Sequence, residues 1–177
     1  MRAKWRVSSV GVLGLLGTLL SGCSDDAAAV PDEFCGVPVQ REALEPLMPH
    51  AKRVVEEGGR TSWKSENCIL FVDHVRVVHS IIREAENPLQ KVDWEAATKW
   101  YEDAATRRVS FPGTAVIGSD GAKVLIACKE GGPSYYIFTI FVSGEGTEKG
   151  KAGAEKVQRF VEDHVPAVAK RLKCSLK

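Results

Sequence analysis

The stretch that decides the fold runs from Cys68 to Ile82 and reads Cys-Ile-Leu-Phe-Val-Asp-His-Val-Arg-Val-Val-His-Ser-Ile-Ile. It is rich in β-branched and aromatic residues, which favour strands. One straight strand would turn Asp73 toward the same face as Ile69, where a buried carboxylate is costly. A turn at Asp73-His74 avoids that burial. We therefore predict two short strands joined by this turn.

The second half of the chain alternates strand and turn signals. Val109–Ile117 is β-rich, and Asp120-Gly121 is a tight-turn pair because glycine tolerates positive φ. Lys123–Cys128 returns as a strand. Tyr135–Val142 is apolar at both odd and even positions, which is typical of a central strand covered on both faces.

Two segments have helical periodicity. Asp93 is a good N-cap, because its side chain can accept from free backbone N–H groups, and Trp94–Arg107 follows as a helix. Lys151–Leu172 is a second helix, which Pro166 should kink or split. The mixed order predicts an α+β fold: an antiparallel sheet of about five or six strands, with two main helices packed on one face.

The N-terminal segment has the parts of an export signal. Its start is basic, with Arg2, Lys4 and Arg6, and Val10–Leu20 is an apolar run, too short for a spanning helix of about 20 residues. The segment ends in Leu20-Ser21-Gly22-Cys23, which resembles the lipobox of bacterial lipoproteins. The resemblance implies cleavage by signal peptidase II and a diacylglycerol on Cys23. We therefore predict a signal peptide over residues 1–23, a polar tether over 24–33 and one domain over 34–177.

Size and charge narrow the function classes. The 177-residue chain has a formal net charge of +1, and its first 23 residues include three basic and no acidic residues. The remaining 154 residues therefore carry −2 and are enough for one domain with a sizeable core. A near-neutral charge argues against nucleic acid as a partner.

Four cysteines follow Cys23: Cys35, Cys68, Cys128 and Cys174. An even number in an exported domain predicts two disulfides. A four-cysteine metal site would bring its ligands in close pairs, whereas these are far apart. Three pairings are possible. Cys35–Cys68 with Cys128–Cys174 is favoured because shorter loops lose less entropy on closure.

Known catalytic patterns do not occur in the sequence. The histidines His50, His74, His79 and His164 have no metal-ligand spacing, and there is no Gly-x-Ser-x-Gly motif. Gly144–Lys151 lacks the spacing of a phosphate-binding loop. We therefore predict no catalytic residue, no metal and no cofactor, and the ligand-binding residues are left unassigned.

The chain resembles the small secreted lipoproteins of unknown function found in actinobacteria. The resemblance implies one four-cysteine α+β domain on a polar tether, with the anchor facing outward from a single membrane. Asp73-His74 departs from the Asp-Gly-like turn expected there. The residues that carry the resemblance are the lipobox, Phe34-Cys35-Gly36-Val37-Pro38, Cys68, Asp120-Gly121, Cys128 and Leu172-Lys173-Cys174.

The predicted function is that of a membrane-anchored extracytoplasmic lipoprotein. Its domain would be a non-catalytic binding or interaction module at the cell envelope. Its partners would be the membrane, through the lipid on Cys23, and an envelope protein or a small ligand. The alternative is an envelope hydrolase with an unrecognised site, for which His74, His79 and His164 are the readable candidate bases.

Overall fold

The computed structural model describes residues 30–50, 53–62, 64–86, 92–129, 133–144 and 147–177. The elements within these residues are, in chain order, β1 (Glu33–Phe34), β2 (Val37–Pro38), α1 (Arg41–Leu44), a 3₁₀ turn (Glu45–Leu47), β3 (Val54–Ser62), β4 (Ser65–Val72), β5 (Val75–Ala85), α2 (Trp94–Trp100), β6 (Ala105–Arg107), β7 (Thr114–Ile117), β8 (Gly121–Ala127), β9 (Tyr135–Val142) and α3 (Gly150–Arg171). The signal segment 1–23 and tether residues 24–29 lie outside the described residues.

Seven antiparallel strands form the main sheet, in the order β3-β4-β5-β9-β8-β7-β6, and β1 pairs with β2 in a separate ribbon. The antiparallel sheet is as predicted, but it has seven strands instead of five or six, and the described chain is mostly sheet. The two strands that the sequence did not predict are the edge strands β3 and β6. Neither strand alternates apolar and polar residues, so each is held in place by pairing with a neighbouring strand of higher β propensity, β3 with β4 and β6 with β7.

The turn between β4 and β5 confirms the two-strand interpretation of the Cys68–Ile82 stretch. Val72 pairs with Val75, which leaves Asp73 and His74 as a two-residue loop. Both have positive φ, 48° and 69°, as tight hairpin turns require. Asp73 also binds the start of β3: its carboxylate accepts from the Arg53 N–H at 2.9 Å, and its own N–H donates to the Arg53 carbonyl at 2.9 Å.

One face of the main sheet is covered by α3. The helix runs unbroken from Gly150 to Arg171, so Pro166 does not split it. Pro166 removes only one backbone donor, and the apolar stripe continues past it through Val168. The buried residues shared by this interface are Cys68, Leu70, Val78, Ile82, Val124, Phe138 and Ile140 from the sheet, and Val157, Phe160, Val161, Val165 and Val168 from the helix.

The second helix lies on the opposite face, which corrects the prediction that both main helices share one face. Ala115 and Ile117 of β7 belong to the core beneath α3, whereas Val116 packs with Ala97 and Tyr101 on the α2 side. Since neighbouring side chains of a strand point to opposite faces, the two helices sandwich this part of the sheet.

The start of α2 is as predicted, but its end is not. The Asp93 carboxylate accepts from the Ala96 N–H at 2.8 Å and caps the helix. The helix ends at Trp100 instead of Arg107. Tyr101 is extended, and its buried hydroxyl donates to the Ala122 carbonyl at 3.0 Å. This tertiary contact redirects the chain into β6, against the helical propensity of the segment.

Among the described residues there are two disulfides, which join Cys35 to Cys68 and Cys128 to Cys174. The first ties the β1–β2 ribbon to β4. The second ties the segment after α3 to the end of β8, where the Lys129 N–H also donates to the Ser175 carbonyl at 2.7 Å. The bridges therefore fasten the N-terminal ribbon and the C-terminal helix to the main sheet.

Candidate functional site

The predicted lipidation site, Cys23, lies outside the described residues. The parts of the chain that the structure describes include no helix that is long and apolar enough to cross a membrane. Val30, the first described residue, already packs against the core. The lipid anchor stays a prediction.

The face of the main sheet opposite α3 is covered only in part. Cys68 and Leu70 point toward α3, so the alternating positions Ile69 and Phe71 point away from it. Most side chains on this side of β3, β4, β5 and β9 are half-exposed or exposed, whereas Ala85 and Ile137, near one end of β5 and β9, are buried. We name this surface the open face, and its residues are Val55, Glu57, Asn67, Ile69, Phe71, Arg76, His79, Ile81, Arg83, Lys123, Thr139 and Phe141, with Trp100 from the end of α2.

Aromatic side chains form a row across the open face. The Phe141 ring centroid lies 5.9 Å from that of Tyr101 and 5.9 Å from that of His79. His79 is hydrogen-bonded through Nε2 to the Asn67 side chain and pairs in register with Ile69. These contacts order the row, while Phe141 stays 36% exposed to solvent.

Three cations flank this row. Arg76 and Arg83 of β5 are exposed, and Lys123 of β8 is half-exposed, with its Nζ 4.4 Å from the centre of the Trp100 ring. None of the three forms an ion pair with a carboxylate of the described residues. Glu57 is the one acidic member of the open face.

The cations raise the local positive potential. Burial lowers the pKa of Lys123, nearby Arg83 lowers it further, and Asp93 partly offsets both effects. Burial also lowers the pKa of His79, and Arg76 adds to that shift. The protonated forms of Lys123 and His79 are therefore disfavoured first by burial and then by like charge, and an arriving anion would relieve the repulsion between like charges.

The cavities on this side of the sheet are shallow. One of about 170 Å³ lies at the β3 edge, between Val55, Phe71 and His74. Another of about 240 Å³ lies between Leu125 and Tyr135. Both are smaller than the roughly 300–1,000 Å³ of typical small-molecule pockets. The open face is therefore better suited to contact an extended partner surface than to enclose a small ligand.

A serine and a histidine meet on the other side of β5, in the core. The Ser80 hydroxyl lies 3.4 Å from His164 Nε2, and neither residue is exposed. Burial, with a contribution from Arg171, lowers the pKa of His164 from 6.5 to about 3. No substrate can reach this pair in the folded protein, so it is a structural contact.

The structure does not bring the three candidate bases together. His74 lies in the β4–β5 turn, His79 on the open face and His164 in the core under α3. The described residues also contain no group of three or more histidine, cysteine or acidic side chains that could hold a metal ion.

Sequence reasoning missed the open face. Both parities of β4 and β5 are apolar, so periodicity could not tell a face packed on a helix from one left open. The polar residues did carry a signal. Asn67 of β4 and His79 and Arg83 of β5 all fall on the side of the strands that was left open.

Comparison of the chain with protein-family models, with curated proteins and with solved structures found no significant match.

Proposed function

We propose that this protein is a membrane-anchored extracytoplasmic lipoprotein whose domain binds a component of the cell envelope, without catalysis, through the open face. The observation that carries the proposal is the exposed apolar surface on that face. Trp100 is 60% exposed and Phe141 is 36% exposed, beside the half-exposed Ile69, Phe71 and Ile81. Contiguous apolar surface of this kind, bordered by charges, is typical of interaction sites.

The scaffold suits a binding surface. Ile69, Phe71, Ile81 and Phe141 of the open face lie on β4, β5 and β9, which are paired on both edges within the main sheet. Sites on such rigid strands hold their geometry better than sites on loops. A partner would therefore meet side chains that are already in place, which lowers the entropic cost of binding.

The proposed location rests on the export signal and the lipobox, and two disulfides fit it. Disulfides persist in oxidising compartments outside the cytoplasm and are rare inside it. The test of the anchor is metabolic labelling with a fatty-acid analogue in cells that express the full chain. We expect labelling of the natural sequence and none of the Cys23→Ala variant, and labelling that survives this change would refute the anchor.

The test of the open face is site-specific crosslinking in cells. A photoreactive amino acid at Ile81 should form adducts with an envelope component. The same residue at Glu155, on the exposed side of α3, is the matched control and should form none. Equal adducts at both positions, or none at Ile81, would contradict binding through the open face.

A further inference from the structure

We infer that the occupant of the open face is the anionic surface of the lipid bilayer to which the protein is anchored. The inference deepens the proposed function and rests on it, because it requires the lipid on Cys23. In this orientation the exposed cations and aromatic residues of the open face would contact the lipid headgroups together.

Charge is the first argument. Arg76, Arg83 and Lys123 form no ion pair with a described carboxylate. Glu57 is the one acid of the open face, and Asp93, at the start of α2, acts on Lys123 from beside it. Each lysine or arginine near an anionic lipid surface strengthens binding about fivefold. The three cations together therefore favour the docked state by about a hundredfold.

The exposed side of α3 is closer to neutral. Lys151 pairs with Glu155, Lys156 with Glu148 of the preceding loop, and Arg171 with Glu66 of β4. Arg159 and Lys170 form no ion pair with a described carboxylate, but Glu162 and Asp163 lie on the same helix. Because the cations of α3 are balanced by these acids, an anionic bilayer would be attracted more strongly to the open face than to α3.

The aromatic residues supply the second argument. Trp100 projects at the rim of the open face, and the Lys123 ammonium lies over its ring at 4.4 Å. Tryptophan is enriched at membrane interfaces, where the ring is buried among headgroups and its N–H stays hydrated. Phe71 and Phe141 add partly exposed apolar surface on the same face.

Shape and tether length supply the third argument. The cavities on this side, about 170 and about 240 Å³, are too shallow to enclose a ligand, whereas a bilayer needs only an extended surface. Seven residue steps separate Cys23 from Val30, and a chain spans at most about 3.6 Å per residue, or about 25 Å here. The anchor therefore keeps Val30 within about 25 Å of the bilayer, so the lipid is at high effective concentration for the domain.

The experiment uses the full chain with its natural lipid anchor, purified from membranes and reconstituted into vesicles. One set of vesicles contains phosphatidylglycerol, the other only phosphatidylcholine, and both carry brominated acyl chains that quench nearby tryptophan. We expect quenching of Trp100 in the anionic vesicles and much less in the neutral ones. Trp100→Phe identifies the part of the fluorescence that comes from this residue.

A triple variant, Arg76→Gln/Arg83→Gln/Lys123→Gln, tests the charges. We expect it to lower the ratio of docked to undocked protein by about a hundredfold. The matched control neutralises three cations of α3 and changes net charge equally: Lys151→Gln/Arg159→Gln/Lys170→Gln. Equal loss in both triple variants, or quenching in neutral vesicles as strong as in anionic ones, would overturn the inference.

Flotation separates this inference from the proposed function. Protein that fails to float with either set of vesicles refutes the anchor, and the inference falls with it. Protein that floats but shows no Trp100 quenching in anionic vesicles refutes the docking alone. In cells, photocrosslinking from Ile81 should yield lipid adducts, and adducts with an acidic protein instead would overturn the assignment of the bilayer.

Discussion

Acidification is expected to destabilise this protein through His164. The imidazole is fully buried, with its ring centre 5.2 Å from that of Phe34 and 5.0 Å from that of Phe160. Its Nε2 lies 3.4 Å from the Ser80 hydroxyl, and its Nδ1 has no hydrogen-bond partner among the described residues. A proton on this ring would place an unpaired charge in the core.

The size of the effect follows from the pKa of His164. Burial lowers it to about 3 in the folded protein, against about 6.5 in the unfolded chain. Between these values the unfolded state binds the proton and the folded state does not, so stability falls as pH falls. At about pH 5 the loss is about 2 kcal/mol, and it grows further toward about pH 3.

Urea unfolding at about pH 7 and about pH 5 measures the loss, with His164→Leu as the test variant. We expect the natural protein to lose about 2 kcal/mol more stability than the variant between the two pH values, because leucine does not titrate. His164→Gln is a second variant in case leucine packs poorly. His74→Asn is the control, since His74 is exposed and asparagine tolerates its positive φ of 69°.

Comparing variants removes the contribution of other groups. His79 has a lowered pKa of its own and contributes in the same direction in every variant that retains it. Glu56, whose pKa burial raises, contributes in the opposite direction and also cancels. The reasoning is refuted if His164→Leu and His164→Gln lose as much stability on acidification as the natural protein.

Three further changes test the scaffold by urea unfolding. Cys128→Ala with Cys174→Ala opens a loop of 46 residues and should cost about 4 kcal/mol of stability by loop entropy, relative to the oxidised natural protein. The expectation is contradicted if this loss is no larger than the loss that either single change causes relative to the reduced natural protein. Asp93→Ala removes the acceptor that caps α2 and should cost about 1 kcal/mol, whereas Asp93→Asn should retain most of that stability. Gly121→Ala would place a Cβ 2.3 Å from the Ile140 carbonyl oxygen, so we expect a loss of about 1–3 kcal/mol, and unchanged stability would show that β8 can shift away from β9.

The parts of the fold that the sequence predicted are those where local chemistry and tertiary environment agree. Val75–Ala85 and Tyr135–Val142 are β-branched and apolar, and they became the strands at the centre of the sheet. Asp93 caps α2 because its carboxylate satisfies a free N–H wherever the helix begins. These features need no knowledge of distant contacts.

The parts that were missed depend on distant contacts. β3 contains Glu56-Glu57-Gly58-Gly59, which local propensity places in a turn, yet it pairs with β4 over most of its length. α2 stops early because the Tyr101 hydroxyl reaches Ala122 on β8. The open face was not predicted for a related reason. Both sides of β4 carry apolar residues, so the sequence does not indicate which side another element will cover.

The strand order has a consequence for how the chain folds. β3, β4 and β5 pair with their neighbours in sequence, as do β6, β7 and β8, and only β9 joins the two groups. A chain that stops before Tyr135 therefore holds two local three-stranded sheets, each with an apolar edge, β5 or β8, that β9 would have covered. Unpaired apolar edges promote aggregation, so we expect chains truncated before β9 to be insoluble and the segment from Tyr135 to Lys177 to complete the fold.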